Sequence, residues 1–432
     1  MNMIKRLMAL VMALLMCAAV ACAEPSADDV MVTVNGTAVT RSQYEDYLST
    51  LTNYYAASYD VSDPTMQAMI QQFALQTGIE YAVMSQKVTE LGLDLTEEEK
   101  TAATDSALAQ WEAVIGDGLT YYGLTDESTE EEYAELLIQV LAELDSMGYS
   151  EESFLSEALM YASYDKLFNH ITKDVAVTDD DVVAHFNNLV ENDKALYEND
   201  AAAYEELQQY NQLYLMYGMT DYVTEAYYKP NGYRQVTHIL LSADEALLTA
   251  YADLQAKYEE QQNTIEEGGE VTEELVTADE VENARLAILA AVQPTVDEIN
   301  QKLADGATFA ELIPQYTTDP GMSDAASIAA GYEVHMDSTN WVIPFRDQSF
   351  TVSNIGDVTA PVVTDYGVHI IQYVGDVAGG PVELTDDLRA AFQADLLATA
   401  TSDAYNNAIA QWVSEAKVEY SAEAKTILGI TE

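Results

Sequence analysis

Apolar residues are arranged in three different ways along the chain. At the start they form one unbroken run, L-M-A-L-V-M-A-L-L-M-C-A-A-V, between the basic M-N-M-I-K-R and A-C-A-E-P. A basic n-region, an apolar h-region and the small-residue site Ala21-Cys22-Ala23 predict a signal peptide over residues 1–23. The run is too short for a comfortable membrane span. From about 40 to 230, Tyr, Ala and Leu recur at helical spacing with almost no alternation. The exception precedes it: V-T-V-N-G-T-A-V, residues 32–39, predicts a hairpin turning at Asn35-Gly36. Thr40 and Gln43 have capping-box spacing, and T-E-E-E at 96–99 and T-D-D-D at 178–181 open further helices.

The third arrangement begins after K-P-N-G, residues 229–232. Y-R-Q-V-T-H-I-L-L reads as a strand, and a Glu-rich helical stretch follows over about 244–292. A short helix is expected over roughly 296–313, with Leu303, Phe309 and Leu312 as its apolar contacts. Short Gly- and Pro-punctuated elements come next: D-P-G at 319–321, I-P-F at 343–345, N-I-G-D at 354–357 and A-P-V-V-T at 360–364. The strand T-D-Y-G-V-H-I-I-Q-Y, 364–373, precedes a close at G-G-P, 379–381. Thr385 then caps a last helix whose stripe runs through Leu388, Phe392, Leu396, Tyr405, Ile409 and Trp412. A lone terminal helix needs a partner, and the N-terminal helices are the obvious one. The pattern predicts an α+β protein: a mostly helical lobe made of 24–231 and the C-terminal segment 381–432, interrupted by a strand-containing unit over 232–380.

Charge narrows the function. A formal charge of -57 repels nucleic acid and anionic membrane surfaces. The acids are dispersed, as on a solvated surface. Both cysteines, Cys17 and Cys22, lie in the leader, so the mature chain has neither a disulfide nor a thiol nucleophile. A-V-A-C, ending at Cys22, is also a weak lipobox, with Ala19 where such motifs usually carry Leu. Two processing outcomes stay open: cleavage after Ala23, or a lipid anchor on Cys22 that tethers the protein to the outer face of the membrane.

His238 and His369 each interrupt an apolar strand-like run, V-T-H-I-L-L and G-V-H-I-I. The bland alternative is a pair of core histidines satisfied by their neighbours. The residues around them point further. V-T-H-I-L-L, G-A-T-F-A-E-L-I-P-Q-Y-T-T-D-P-G at 306–321, W-V-I-P-F-R-D-Q-S-F at 341–350 and I-G-D-V-T-A-P-V-V-T-D-Y-G-V-H-I-I at 355–371 occur in an order and spacing that resemble the parvulin-type peptidyl-prolyl isomerases, in the PrsA and SurA branch of exported foldases. V-N-G-T-A-V-T-R-S-Q-Y resembles the opening of the helical chaperone lobe in the same proteins.

The resemblance implies that 232–380 is a parvulin-like domain with a helical insertion at about 244–292, and that 24–231 is a SurA-like chaperone region. It implies His238 and His369 as the paired strand histidines, Asp319 where parvulins have Cys or Asp, and Thr364 as the hydroxyl partner. Trp341 and Phe345 fall on the apolar proline-pocket positions. The usual G-G-D-L-G stretch is here A-A-G-Y-E-V, 329–334, so Tyr332 is expected to replace one pocket wall.

Each residue keeps a structural alternative: core aromatics for Trp341 and Phe345, a turn residue for Asp319, a backbone partner for Thr364. Two histidines and a carboxylate could also hold a metal, but no H-E-x-x-H pair supports one, and no cofactor is implied. The expected partners are unfolded or partly folded exported proteins and proline-containing peptides; a homodimer stays open. The expected activity is X–Pro cis/trans isomerisation with chaperoning. The alternative is a non-catalytic holdase that uses the fold only to bind peptides. Tyr- and Met-rich runs, including Y-N-Q-L-Y-L-M-Y-G-M at 210–219, suit adaptable contacts with unfolded chains as well as ordinary helix packing.

Overall fold

The computed structural model describes residues 30–125 and 127–430. Residues 1–23, expected to form a signal peptide, and with them Cys22, lie outside the described residues. The chain divides into two compact units, one of residues 1–177 and 393–432, the other Thr178–Phe392.

In the first unit the strands β1 (Val30–Val34) and β2 (Thr37–Thr40) form the expected hairpin. Asn35 and Gly36 both take positive φ, 50° and 90°, as a tight two-residue hairpin turn requires. Five helices follow: α1 (Arg41–Ala56), α2 (Pro64–Glu90), α3 (Glu97–Tyr121), α4 (Glu130–Ser146) and α5 (Glu151–Thr172). Thr40 with Gln43 and Thr96 with Glu99 form full capping boxes at the starts of α1 and α3. Met31, Val32, Val34 and Val39 of the hairpin pack on Ala74, Leu75, Ile79 and Val83 of α2. The sequence pattern missed one strand. Val418–Tyr420 adds to the free edge of β1, and the Asn35 side chain accepts from the Lys417 N–H at 2.8 Å, pinning that edge to the turn.

The second unit opens with α6 (Asp179–Tyr197) and α7 (Ala201–Met216), and Thr178 boxes the start of α6 as expected. The helical region expected to end at residue 231 therefore divides at 177. The reason is packing: the Glu205 carboxylate of α7 is buried and accepts from Tyr233 and Ser338. Strand β3 (Tyr228–Lys229) leads to β4 (Arg234–Leu241), and then come α8 (Glu245–Glu266) and α9 (Ala278–Ala304).

The helix expected over 296–313 is instead the end of α9 and a separate α10 (Phe309–Tyr316), broken at Gly306, whose φ is 100°. The Glu-rich stretch correspondingly divides into α8 and most of α9. Pro294 does not stop α9. It lies on the exposed side, while Ile288, Val292, Val296 and Ile299 form one buried stripe. Burying four such side chains, each contributing about 1.5–3 kcal/mol, outweighs the roughly 3 kcal/mol cost of an interior proline.

The remaining elements are α11 (Ala325–Ala330), β5 (Tyr332–Val334), α12 (Ile343–Gln348), β6 (Val362–Thr364), β7 (Gly367–Asp376) and β8 (Gly380–Pro381). The main sheet is antiparallel in the order β5-β4-β7-β6. Alternation gives it two faces. Ile239, Leu241, Val368 and Ile370 face α9 and α10. Val236, Ile371 and Val334 of β5 share the other face with His238 and His369, and Phe345 packs on it. The long helix α13 (Asp386–Glu415) starts at Thr385, whose hydroxyl accepts from the Leu388 N–H at 3.3 Å; a further short helix, missed in the sequence pattern, follows it. The first unit then closes with β9 (Val418–Tyr420) and α14 (Ala422–Leu428).

Candidate active site

Strand register brings the histidines together. His369 of β7 stands opposite Leu240 of β4, so His238 is its diagonal neighbour on the same face. Their Nδ1 atoms lie 2.9 Å apart and the rings stack 5.0 Å apart at 14°. The outer nitrogens also have partners. His238 Nε2 lies 2.6 Å from Asp319 Oδ2, and His369 Nε2 lies 2.8 Å from Thr364 Oγ1. Thr364 Oγ1 in turn accepts the Tyr366 N–H at 3.1 Å.

An ionised carboxylate can only accept. Asp319 therefore assigns every proton in the line. His238 carries its proton on Nε2 and accepts at Nδ1; His369 carries its proton on Nδ1 and accepts at Nε2; Thr364 donates. One charge at one end thus fixes both tautomers and leaves neither ring charged.

The electrostatics agree. Burial pushes the Asp319 carboxyl up, but hydrogen bonds from Tyr332, His238 and the Gly321 N–H outweigh burial and hold it below the ordinary value. Burial depresses His238 more than Asp319 raises it. Burial, followed by the neighbouring His238, pushes His369 down to about 3. His238 and His369 are 2% and 5% exposed, so two neutral, hydrogen-bonded rings are the form that such a site tolerates.

Asp319 begins the D-P-G turn, where its Oδ1 accepts from the Gly321 N–H at 3.0 Å and its Oδ2 from the Tyr332 hydroxyl at 2.7 Å. Gly321 matters for space: a Cβ there would lie 1.8 Å from the Tyr332 oxygen. Tyr332, expected as a pocket wall, also has its ring beside the site, 5.4 Å from His238 and 4.8 Å from Trp341. Phe345 lies 5.2 Å from His238 and 5.1 Å from His369, edge to face with both. Trp341 is half-buried, 5.4 Å from Phe345, and its indole N–H is held by the Glu333 carbonyl at 3.1 Å.

The fold thus gathers all seven residues singled out in this unit. Sequence reasoning missed Thr317. Its Oγ1 accepts from the Leu240 and Asp319 N–H groups at 3.1 and 3.2 Å, tying the Asp319 turn to β4. The T-T-D-P stretch carried the signal, since a Thr two residues before a turn residue is placed to hold its N–H. The other histidines differ. His185 packs on Phe392 at 5.0 Å, and His335 bonds the Asn231 carbonyl at 3.0 Å. Among the described residues, no group of three or more His, Cys, Asp or Glu is placed to hold a metal ion.

Comparison with known proteins gives two family matches. Residues 3–112 match the SurA-like N-terminal domain family, and residues 277–376 match the PPIC-type PPIase domain family. The second match includes the whole of α9 and begins after β4 and α8. The foldase protein PrsA 2 of Listeria monocytogenes serotype 4b is 40% identical over 86 residues, 20% of this chain and 28% of that protein. The foldase protein PrsA of Bacillus subtilis is 35% identical over 86 residues, 20% of this chain and 27% of that one. The chaperone SurA of Methylobacillus flagellatus is 28% identical over 130 residues, 30% of this chain and 28% of that one. The chain thus spans 28% of the length of the Listeria relative it matches. Among solved structures, PrsA of Bacillus subtilis aligns with a TM-score of 0.20 at 16% identity, covering 94% of this chain and 99% of that one. A SurA-like chaperone of Campylobacter jejuni aligns at 0.27 and 16%, covering 90% and 98%. The likeness to both is weak over the whole chain.

Proposed function

We propose that this chain, which carries a SurA-like N-terminal domain and a PPIC-type PPIase domain, is an exported foldase that speeds cis/trans isomerisation of X–Pro bonds in unfolded polypeptides. Rotation about the peptide bond meets a barrier of roughly 18–20 kcal/mol from amide resonance and takes tens to hundreds of seconds unaided at proline. No bond is made or broken. The catalyst must bind the twisted amide better than either planar form.

Phe345 and Trp341 are suited to hold the prolyl ring in an apolar slot, with the Tyr332 ring as a side wall. In the twisted state the carbonyl and the nitrogen lose conjugation, and a fixed polar network beside them costs no reorganisation. His238 and His369 supply that polar surface, Thr364 and Asp319 set its proton positions, and Tyr332 holds Asp319 in place. The sequence has no cysteine beyond Cys22, so the site offers no thiol for a covalent route. The leader supports export, and A-V-A-C ending at Cys22 supports a lipid tether.

The observation that carries this reading is the continuous line from Asp319 through both imidazoles to Thr364 beneath an aromatic wall. The test measures isomerisation of a short X–Pro peptide by the full chain and by its His369→Leu and Phe345→Leu variants, with folding checked by circular dichroism. His369→Leu should lower kcat/KM about hundredfold to thousandfold, and Phe345→Leu should act mainly through KM. A folded wild-type chain that leaves the peptide rate flat while suppressing aggregation would select a non-catalytic holdase.

A further inference from the structure

The Y-N-Q-L-Y-L-M-Y-G-M run forms the end of α7 and the turn after it. At 3.6 residues per turn, Glu205, Gln209, Leu213 and Met216 fall on one face of α7. The first half of this face is engaged by the segment that leads to the candidate proline slot. Glu205 accepts from Tyr233 at 3.1 Å and from Ser338 at 2.7 Å, and Gln209 bonds Asn340, the neighbour of Trp341. The second half is open: Leu213 is 41% and Met216 69% exposed. The opposite side of the helix is occupied. Tyr214 lies 5.7 Å from Tyr222, and Asn211 clamps both backbone polar groups of Thr224, at 2.7 and 3.0 Å. One stripe therefore starts beside the residue next to Trp341 and runs out as bare apolar surface.

We propose that Leu213 and Met216 form an outer subsite for the same unfolded polypeptide whose proline enters the slot, selecting segments with apolar or aromatic residues a few positions from the proline and with a positive charge. This rests on the isomerase reading. Continuity supports the occupant: Leu213 stands one turn, about 6 Å, beyond the Gln209 contact, and Met216 about 10 Å beyond it. An extended peptide at about 3.3 Å per residue covers that distance in two to four residues. The charge supports it too. Glu206 is exposed on α7 beside the stripe, and no Lys or Arg occurs between Lys194 and Lys229. An acidic segment would be repelled, and a basic one drawn in. Met and Leu give a contact that accepts varied apolar partners.

The test uses the full chain and a Leu213→Ser/Met216→Ser variant, both substitutions at exposed positions. Two peptides are compared: a four-residue X–Pro substrate, and an unfolded cationic twenty-residue peptide with one X–Pro bond flanked by Phe and Leu two to five residues away. The expected result is an unchanged rate on the short peptide and a three- to tenfold higher KM on the long one, with kcat retained. An unchanged KM on the long peptide, with normal short-peptide turnover, overturns the subsite. Should the wild type isomerise neither peptide, the isomerase reading fails by itself. The subsite is then judged by the affinity of the long peptide, and it falls if the double substitution leaves that affinity unchanged. Sedimentation covers the remaining occupant: a wild-type dimer that the double substitution makes monomeric assigns the stripe to a second copy and overturns the proposal.

Discussion

In the unit Thr178–Phe392, Asp319, His238, His369 and Thr364 stand in a line in which each ring nitrogen has a partner. In the unit of residues 1–177 and 393–432, Tyr47, Tyr81 and Tyr164 border a cavity of about 580 Å³, with Met160 and Ser163 among its other walls. Polar groups are buried in both units, but on different terms. Among the described residues, the buried side-chain atoms without a hydrogen-bond partner are Asp46 Oδ2 and the Tyr161 hydroxyl, both in the cavity-bearing unit. On α5 the half-buried Glu157 carboxyl is pushed up to about 7 by burial alone. A satisfied line fixes one geometry, as a site that must favour one twisted amide needs. Buried polar groups left without a partner fix no such geometry.

The sharpest way to break this contrast is acid. His369 is pushed down to about 3 when folded and has an ordinary value of 6.5. Below pH 6.5 the unfolded chain takes up a proton that the folded ring refuses. His369 therefore gives its full stabilisation above 6.5 and loses it as the pH falls toward 3. By pH 4.5 the loss approaches about 3 kcal/mol. Denaturant midpoints at pH 7 and 4.5, followed by fluorescence at Trp341, the single tryptophan of that unit, should show it. His369→Leu should shrink the gap between the two pH values. An equal gap in variant and wild type would mean that the ring titrates freely, and the neutral line would be lost with it.

Thr364→Val tests the line from its other end. The substitution nearly keeps the shape but strips the donor from His369 Nε2, leaving a buried acceptor bare. It should cost about 1–3 kcal/mol and lower isomerisation of a short peptide, because the His369 ring then loses the partner that holds its outer nitrogen in place. A Thr364→Ser chain, which keeps the hydroxyl, should recover most of the rate. Equal losses in the Val and Ser chains would assign the effect to packing.

The two regions also differ in how far the sequence disclosed them. Local chemistry was legible. Asn35-Gly36 states its turn through the only residue types that take those dihedrals cheaply, and Thr40 with Gln43 writes its own cap. His238 and His369 were legible because a titratable ring inside an apolar strand is costly, and the motifs around them fixed which rings to pair. What stayed hidden was set by distant partners. Val418–Tyr420 is three residues with one charged member, and only the free edge of a strand nearly four hundred residues earlier makes it β. The joining of the Glu-rich stretch to the helix after it, across Pro294, follows from the buried stripe that holds Val292 and Val296. The bond from Tyr332 to Asp319 required the space left by Gly321, which no local rule announces. The tyrosine cavity had only composition to signal it, and Tyr-rich helices pack against one another as readily as they hold a ligand.

Glu157 gives the smallest effect and the clearest difference of sign. Its carboxyl ordinarily titrates at 4.5 and is raised to about 7 by burial. Folding therefore favours the protonated form. The contribution of Glu157 is fully present below pH 4.5 and is lost as the pH rises through 7, the reverse of His369. The group is only half-buried, so solvent screening reduces the effect well below its full value, to about 1 kcal/mol. Glu157→Gln keeps the shape and removes the charge. It should stabilise the cavity-bearing unit at pH 7.5 by that amount and change nothing at pH 4. Unfolding followed at Trp111 and Trp412 in a Trp341→Phe background isolates that unit. A stabilisation equal at both pH values would trace to packing, and the two units would then no longer differ in how they treat a buried charge.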